Sequence, residues 1–152
     1  MGESTITNDS VVGVSQANQT RTKKMTNEDL IMELTMEQGP GRETQVQPPI
    51  GVWAHYFGVD LDDPPSLRLT NRRRRNARPE TRPIVEHDHN WTVEITGATV
   101  DRPAIIRFHR TGSNRYDYWI FKANDSEYQA CRWILDTFRN PSRRRGRRWL
   151  VI

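Results

Sequence analysis

Arginine is the chain's most informative side chain. Twenty arginines stand against three lysines, and nine of the arginines fall in two tight runs. One run is Arg72-Arg73-Arg74-Arg75, with Arg78 and Arg82 just after it; the other is Arg143-Arg144-Arg145, then Arg147-Arg148 beyond Gly146. Lysine would serve solubility equally well. Arginine is preferred where a planar, permanently charged fork must grip phosphate with two parallel hydrogen bonds or stack on a base. Runs this dense repel themselves and behave as interaction segments. They point to a polyanion, nucleic acid above all. Trp149 follows the second run, where an indole could stack on an unpaired base. The alternative is that Trp149-Leu150-Val151-Ile152 forms a final strand, and the residue types favour neither reading. The nucleic-acid-binding set expected from sequence is Arg72, Arg73, Arg74, Arg75, Arg78, Arg143, Arg144, Arg145, Arg147, Arg148 and Trp149.

Other chemistry is thinly represented. Glu86-His87-Asp88-His89 puts two histidines two apart, which on a strand point the same way and could bind a metal. Without a third ligand nearby, surface histidines before a strand are the expectation, with no metal and no cofactor. Asp60, Asp62 and Asp63 before Pro64-Pro65 read as a turn, because the glycine and terminal glutamate of a calcium loop are absent. There is no nucleophile triad, phosphate loop or paired carboxylate, so the chain is not expected to be an enzyme.

Composition sets the frame. The chain has 152 residues, 34% hydrophobic, with mean hydropathy −0.85. That is one domain plus polar extensions. The net charge of +4 hides an asymmetry: residues 1–71 carry 5 basic and 10 acidic side chains, and residues 72–152 carry 18 and 9. The basic half is the binding half. Cys131 is the single cysteine, which excludes an internal disulfide and a cysteine-held zinc. No apolar run is long enough to span a bilayer.

The elements that must carry these residues follow from periodicity. Residues 1–24, polar and without period, predict a disordered arm. Residues 25–49 predict a short acidic helix and a linker: Thr26 and Asp29 suit a cap, Leu30, Ile31 and Leu34 form one side, and Gly39-Pro40-Gly41 stops it. Residues 50–140 predict a compact α+β domain with a basic loop over 71–83. Its small antiparallel sheet is a three-strand meander over 91–122, packed by a C-terminal helix over 126–139. In that helix Ala130, Ile134 and Phe138 recur on one side, with Cys131 and Leu135 beside them. Trp91, Trp119 and Trp133 are expected to pack, and Thr111-Gly112-Ser113-Asn114 is a hairpin turn. Residues 141–152 form an arginine-rich tail. The core is small enough that a homodimer would relieve it.

Three families resemble parts of this pattern. Tyr116 to Glu127, with Trp133 beyond, resembles the last strand and helix of a pleckstrin-homology domain, which implies binding of acidic lipid or protein. The order helix, three strands, helix is similar to a double-stranded-RNA-binding domain, although Ser126 to Gln129 stand where that family is lysine-rich. The His87/His89 pair with Tyr116 or Tyr118 resembles a replication initiator, which implies an endonuclease, although Asp88 replaces the apolar residue between its histidines. None of these assigns the chain to a family. The expectation is a non-enzymatic RNA-binding protein that reads phosphate and shape, with double-stranded RNA among its candidate ligands. Its style suits a viral accessory protein, such as a suppressor of RNA silencing or a genome-binding factor. The same basic runs suit a nuclear import receptor, and so a location in cytoplasm and nucleus.

Overall fold

The computed structural model describes residues 27–34, 45–87, 90–95, 103–138 and 148–152. The expected arm over 1–24 and the arginines at 143, 144, 145 and 147 lie outside the described residues, as do Asp88 and His89. The protein is α+β, built mostly of strands.

Among the described residues nine strands form two sheets. They are β1 (Asp29–Leu34), β2 (Gln45–Val46), β3 (Leu67–Asn71), β4 (Glu80–Arg82), β5 (Ile84–His87), β6 (Asn90–Glu94), β7 (Ala104–Gly112), β8 (Arg115–Lys122) and β9 (Trp149–Val151). A mixed six-stranded sheet has the order β4-β3-β8-β7-β1-β9, in which only β3 and β8 run parallel. A small antiparallel sheet has the order β2-β6-β5. Helix α1 (Ile50–Val52) continues directly as a π-helical segment, Trp53–Phe57, and Gly58 closes it at φ 64°. Helix α2 is Ser126–Phe138.

Side-chain alternation gives the large sheet two apolar faces. On one face Leu30, Met32, Ile106, Phe108, Tyr116 and Tyr118 pack against the small sheet and the segment from Val52 to Phe57. Trp53 is fully buried there, and Phe57 meets Phe108 and Tyr116 edge-on. On the other face Ile31, Ile105 and Phe121 pack under Tyr128, Cys131 and Leu135 of α2.

Several expectations are corrected here. Residues 29–34 form a strand, not a helix. β1 lies between β7 and β9 with both faces covered, so Leu30, Ile31 and Met32 are all buried in succession. A run buried on both sides loses the alternation that marks a strand. Asp29 is not part of a helix cap; it and Glu33 are the anions of cross-strand ion pairs with Arg107 and Arg148. This also removes the first helix on which the double-stranded-RNA-binding resemblance depends. The three strands over 91–122 are present, but β6 pairs with β5 and β2 rather than with β7. The β7–β8 hairpin turns at Ser113-Asn114, as expected, with Asn114 at φ 55°.

Helix α2 packs through Cys131 and Leu135, with Ile134 partly buried, as expected, but the stripe differs at its margins. Tyr128, Cys131 and Leu135 point inward, whereas Ala130 and Phe138 are exposed. Trp133 is 64% exposed, so it is not the core tryptophan that the pleckstrin-homology resemblance implies. Trp133→Ala should therefore change stability by no more than about 0.5 kcal/mol. A fall in melting temperature of many degrees would place the indole in a packed contact.

Candidate nucleic-acid interface

The first arginine run sits on the connection between β3 and β4, at one edge of the large sheet. Its conformation is set by asparagines. The Arg72 N–H donates to the Tyr118 carbonyl at 2.9 Å, which carries the ladder one residue past β3. The Asn71 side-chain oxygen accepts from the Arg73 N–H at 3.0 Å, and its carbonyl accepts from the Arg74 N–H at 3.2 Å. This is an Asx-turn, in which a short amide copies a backbone turn. Asn76 then takes φ 56°, a left-handed conformation that asparagine tolerates better than most residues. The expected basic loop over 71–83 is thus a hairpin: Asn71 ends β3, and β4 returns at Glu80.

Within this hairpin the arginines divide into two groups. Arg72 pairs with Asp117 at 3.4 Å, and Arg82 with Glu80 at 2.6 Å. Arg73 reaches Asp125 at 3.3 Å and lies over the Phe121 ring at 5.4 Å. These contacts tie the turn to β8 and to the start of α2. Arg74, Arg75 and Arg78 are exposed and have no carboxylate partner among the described residues. Arg68 and Arg115 are exposed and equally unpaired there. Sequence reasoning did not include these two. Arg68 alternates outward between buried Leu67 and Leu69, and Arg115 opens β8 beside it in register. Their signal was weak, because an isolated arginine on a strand is ordinary.

Asp125 is the anchor of this turn. The Lys122 N–H, and after it the Arg73 guanidinium, hold its carboxyl below the usual carboxylate range. A depressed carboxyl contributes stability above its unfolded value near 3.9, and loses it as pH falls through the folded value. In Arg73→Ala the Asp125 carboxyl should titrate higher, but only part of the way, because the Lys122 N–H remains. Carbon-detected NMR titration would show this. An unchanged titration would mean that the Arg73 contact does not form.

The turn separates two pockets. One, of about 230 Å³, is lined by Leu69, Asn71, Arg74, Arg75, Arg78 and Tyr118, among others. The second, of about 260 Å³, lies between Arg68, Arg72, Arg115 and Asp117. Ala77 lines both.

The remaining expected site residues are elsewhere. Arg148 is mostly buried, donating to Glu33 at 3.0 Å and to Asp136 at 2.5 Å. Trp149 lies in β9, opposite Met32, and packs against the first core. Of the two readings of the tail, the final strand is the one observed. β9 is also the far edge of the sheet from the β3–β4 hairpin. Four strand spacings of about 4.8 Å separate it from β3, on the order of 19 Å. Arg148 and Trp149 therefore do not join the hairpin's arginines in one site.

Tyr116 and Tyr118, the nucleophiles of the initiator resemblance, are core residues, 2% and 1% exposed. Burial pushes the Tyr116 phenol further up from its usual range. Among the described residues no group of three or more His, Cys, Asp or Glu side chains is placed to hold a metal. No described helix is long and apolar enough to cross a membrane.

Neither a protein-family profile nor a curated protein sequence matches the chain. Among solved structures the fold is similar to the N-terminal domain of LlaJI.R1 from Helicobacter pylori. The TM-score is 0.56, over 82% of this chain and 97% of that one. At 8% identity the likeness is one of fold alone.

Proposed function

We propose that this chain is a non-enzymatic nucleic-acid-binding protein, with RNA its expected ligand. The observation that carries this reading is the set of five arginines, Arg68, Arg74, Arg75, Arg78 and Arg115, that surround one ordered hairpin and have no carboxylate partner among the described residues. The nearby carboxylates Asp117 and Glu80 are engaged by Arg72 and Arg82, so the remaining guanidinium groups repel one another, and phosphates would relieve that repulsion while releasing counterions. The turn's own hydrogen bonds hold the arginine-bearing backbone in place before a ligand arrives, which lowers the ordering cost of binding. Contacts of this kind position a phosphate backbone and carry little base sequence information.

The test compares duplex RNA, single-stranded RNA, duplex DNA and phosphoinositide vesicles, each at 50 and 200 mM salt. Nucleic acid should bind more tightly than vesicles. With about five phosphate contacts its affinity should fall by roughly 100-fold for a single strand and about 500-fold for a duplex across that range. Binding confined to the vesicles, or absent at the lower salt, would refute the reading and favour the adaptor alternative in the first case.

A further inference from the structure

The 230 Å³ pocket beside the hairpin is not explained by phosphate binding alone. Its floor is apolar, formed by Leu69 at 3% exposure and Tyr118 at 1%. Its walls include Ala77 and the Asn71 side chain. The Asn71 oxygen is occupied by the Arg73 N–H, so its amide nitrogen has two N–H donors to offer the pocket. Glu80 also lines the space, and its carboxylate is engaged by Arg82 at 2.6 Å. Arg74, Arg75 and Arg78 surround the mouth. The result is an apolar floor, one neutral donor group and a cationic rim.

Size and chemistry together narrow the ligand. An apolar cavity of roughly 150 Å³ accommodates benzene. Drug-sized ligands occupy about 300–1,000 Å³. The pocket falls between them, with room for a single heteroaromatic ring system. An amide donor among the lining residues calls for an acceptor edge, such as a ring nitrogen or ring carbonyl. Guanidinium groups at the mouth call for phosphates on either side, and their planes can also stack on a ring.

We infer that this pocket receives one unstacked nucleotide of a bound strand, with its base against Leu69 and Tyr118 and its flanking phosphates on Arg74, Arg75 and Arg78. The inference rests on the nucleic-acid reading and adds base occupancy to it. It favours strands with unpaired bases over a continuous duplex, because a paired base must leave its stack to enter. Discrimination among bases is weak, since every base carries an acceptor on an exposed edge.

The experiment uses the full chain and two probes of equal phosphate count: a seven-nucleotide single-stranded RNA and an abasic ribose-phosphate strand of the same length. The intact strand should bind roughly 10- to 100-fold more tightly, as expected for one sequestered base, with the same salt slope as the abasic one. A 2-aminopurine in the intact strand should change its fluorescence on binding. Ala77→Leu, which fills the pocket from its wall, should bring the intact strand down to the abasic level while leaving the melting temperature unchanged. Equal affinities for the two probes, with a steep salt slope, would overturn the base pocket and leave the phosphate reading intact. Failure of both probes to bind at 50 mM salt would overturn both.

Discussion

Replacing Arg74, Arg75 and Arg78 together with alanine is expected to weaken nucleic-acid binding by about two to three orders of magnitude at 0.1 M salt. Each phosphate contact contributes roughly 0.7–0.9 to the slope of log affinity against log salt, depending on whether the ligand is single- or double-stranded. Three lost contacts therefore lower the slope by about 2–3. The folded state should hardly notice, since all three side chains are exposed and unpaired among the described residues. Arg72→Ala with Arg73→Ala provides the contrast. These two must give up Asp117 and Asp125 before they can serve a phosphate, so their joint removal should cost less affinity. A fluorescence-anisotropy titration at several salt concentrations checks both variants. Equal losses would mean that the ion pairs do not divide the run, and a loss under threefold for the triple variant would remove this hairpin from the interface.

Ending the chain at Arg147 is expected to destabilise it by about 4 kcal/mol or more. A flexible tail could be cut at Ser142 without harm to the fold; the final strand β9 cannot. Trp149 and Val151 pack on one core and Leu150 on the other, each partly buried and worth about 1 kcal/mol. Arg148 adds its contacts with Glu33, and its loss would leave that half-buried carboxylate unpaired. Backbone bonds join Asp29 to Ile152 in both directions and the Glu33 N–H to the Arg148 carbonyl, so the cut also exposes a bare β1 edge. For a chain of this size the melting temperature should fall by roughly 8–16 °C. Trp149→Ala alone should lower it less and leave nucleic-acid affinity per folded molecule within about twofold. A truncated chain that melts within 2 °C of the full one would contradict the β9 assignment.

Elements with a clean period were legible. The β7–β8 hairpin and the helix after it are local, and their alternation, turn residues and amphipathic spacing are all present in the chain. The failures came from long-range partners. Leu30-Ile31-Met32 becomes a strand only because β7 and β9 flank it and α2 covers it. β6 leaves the meander because β2 and β5, far from it in one case and near in the other, offer it edges. The side of α2 was legible at Cys131, Ile134 and Leu135, but a strict four-residue step through Ala130, Ile134 and Phe138 drifts off the buried stripe, which follows the 3-and-4 spacing of Tyr128, Cys131 and Leu135. The site followed the same rule. The run from Arg72 to Arg78 was visible as charge. Its division into paired and unpaired arginines depends on Asp117 and Asp125, more than forty residues away along the chain. Arg68 and Arg115 join it only through the parallel register of β3 on β8.

Amide hydrogen exchange with and without bound nucleic acid tests the central claim most directly, because it locates the ligand without altering a residue. On saturation with a short single-stranded RNA, protection should rise in the peptides covering residues 68–78 and the start of β8 at Arg115. Peptides from α2 and β9 should remain as they were. Protection that rises instead on the exposed side of α2, around Trp133, or along β9, with residues 68–78 unchanged, would contradict the assignment of the β3–β4 hairpin as the nucleic-acid interface.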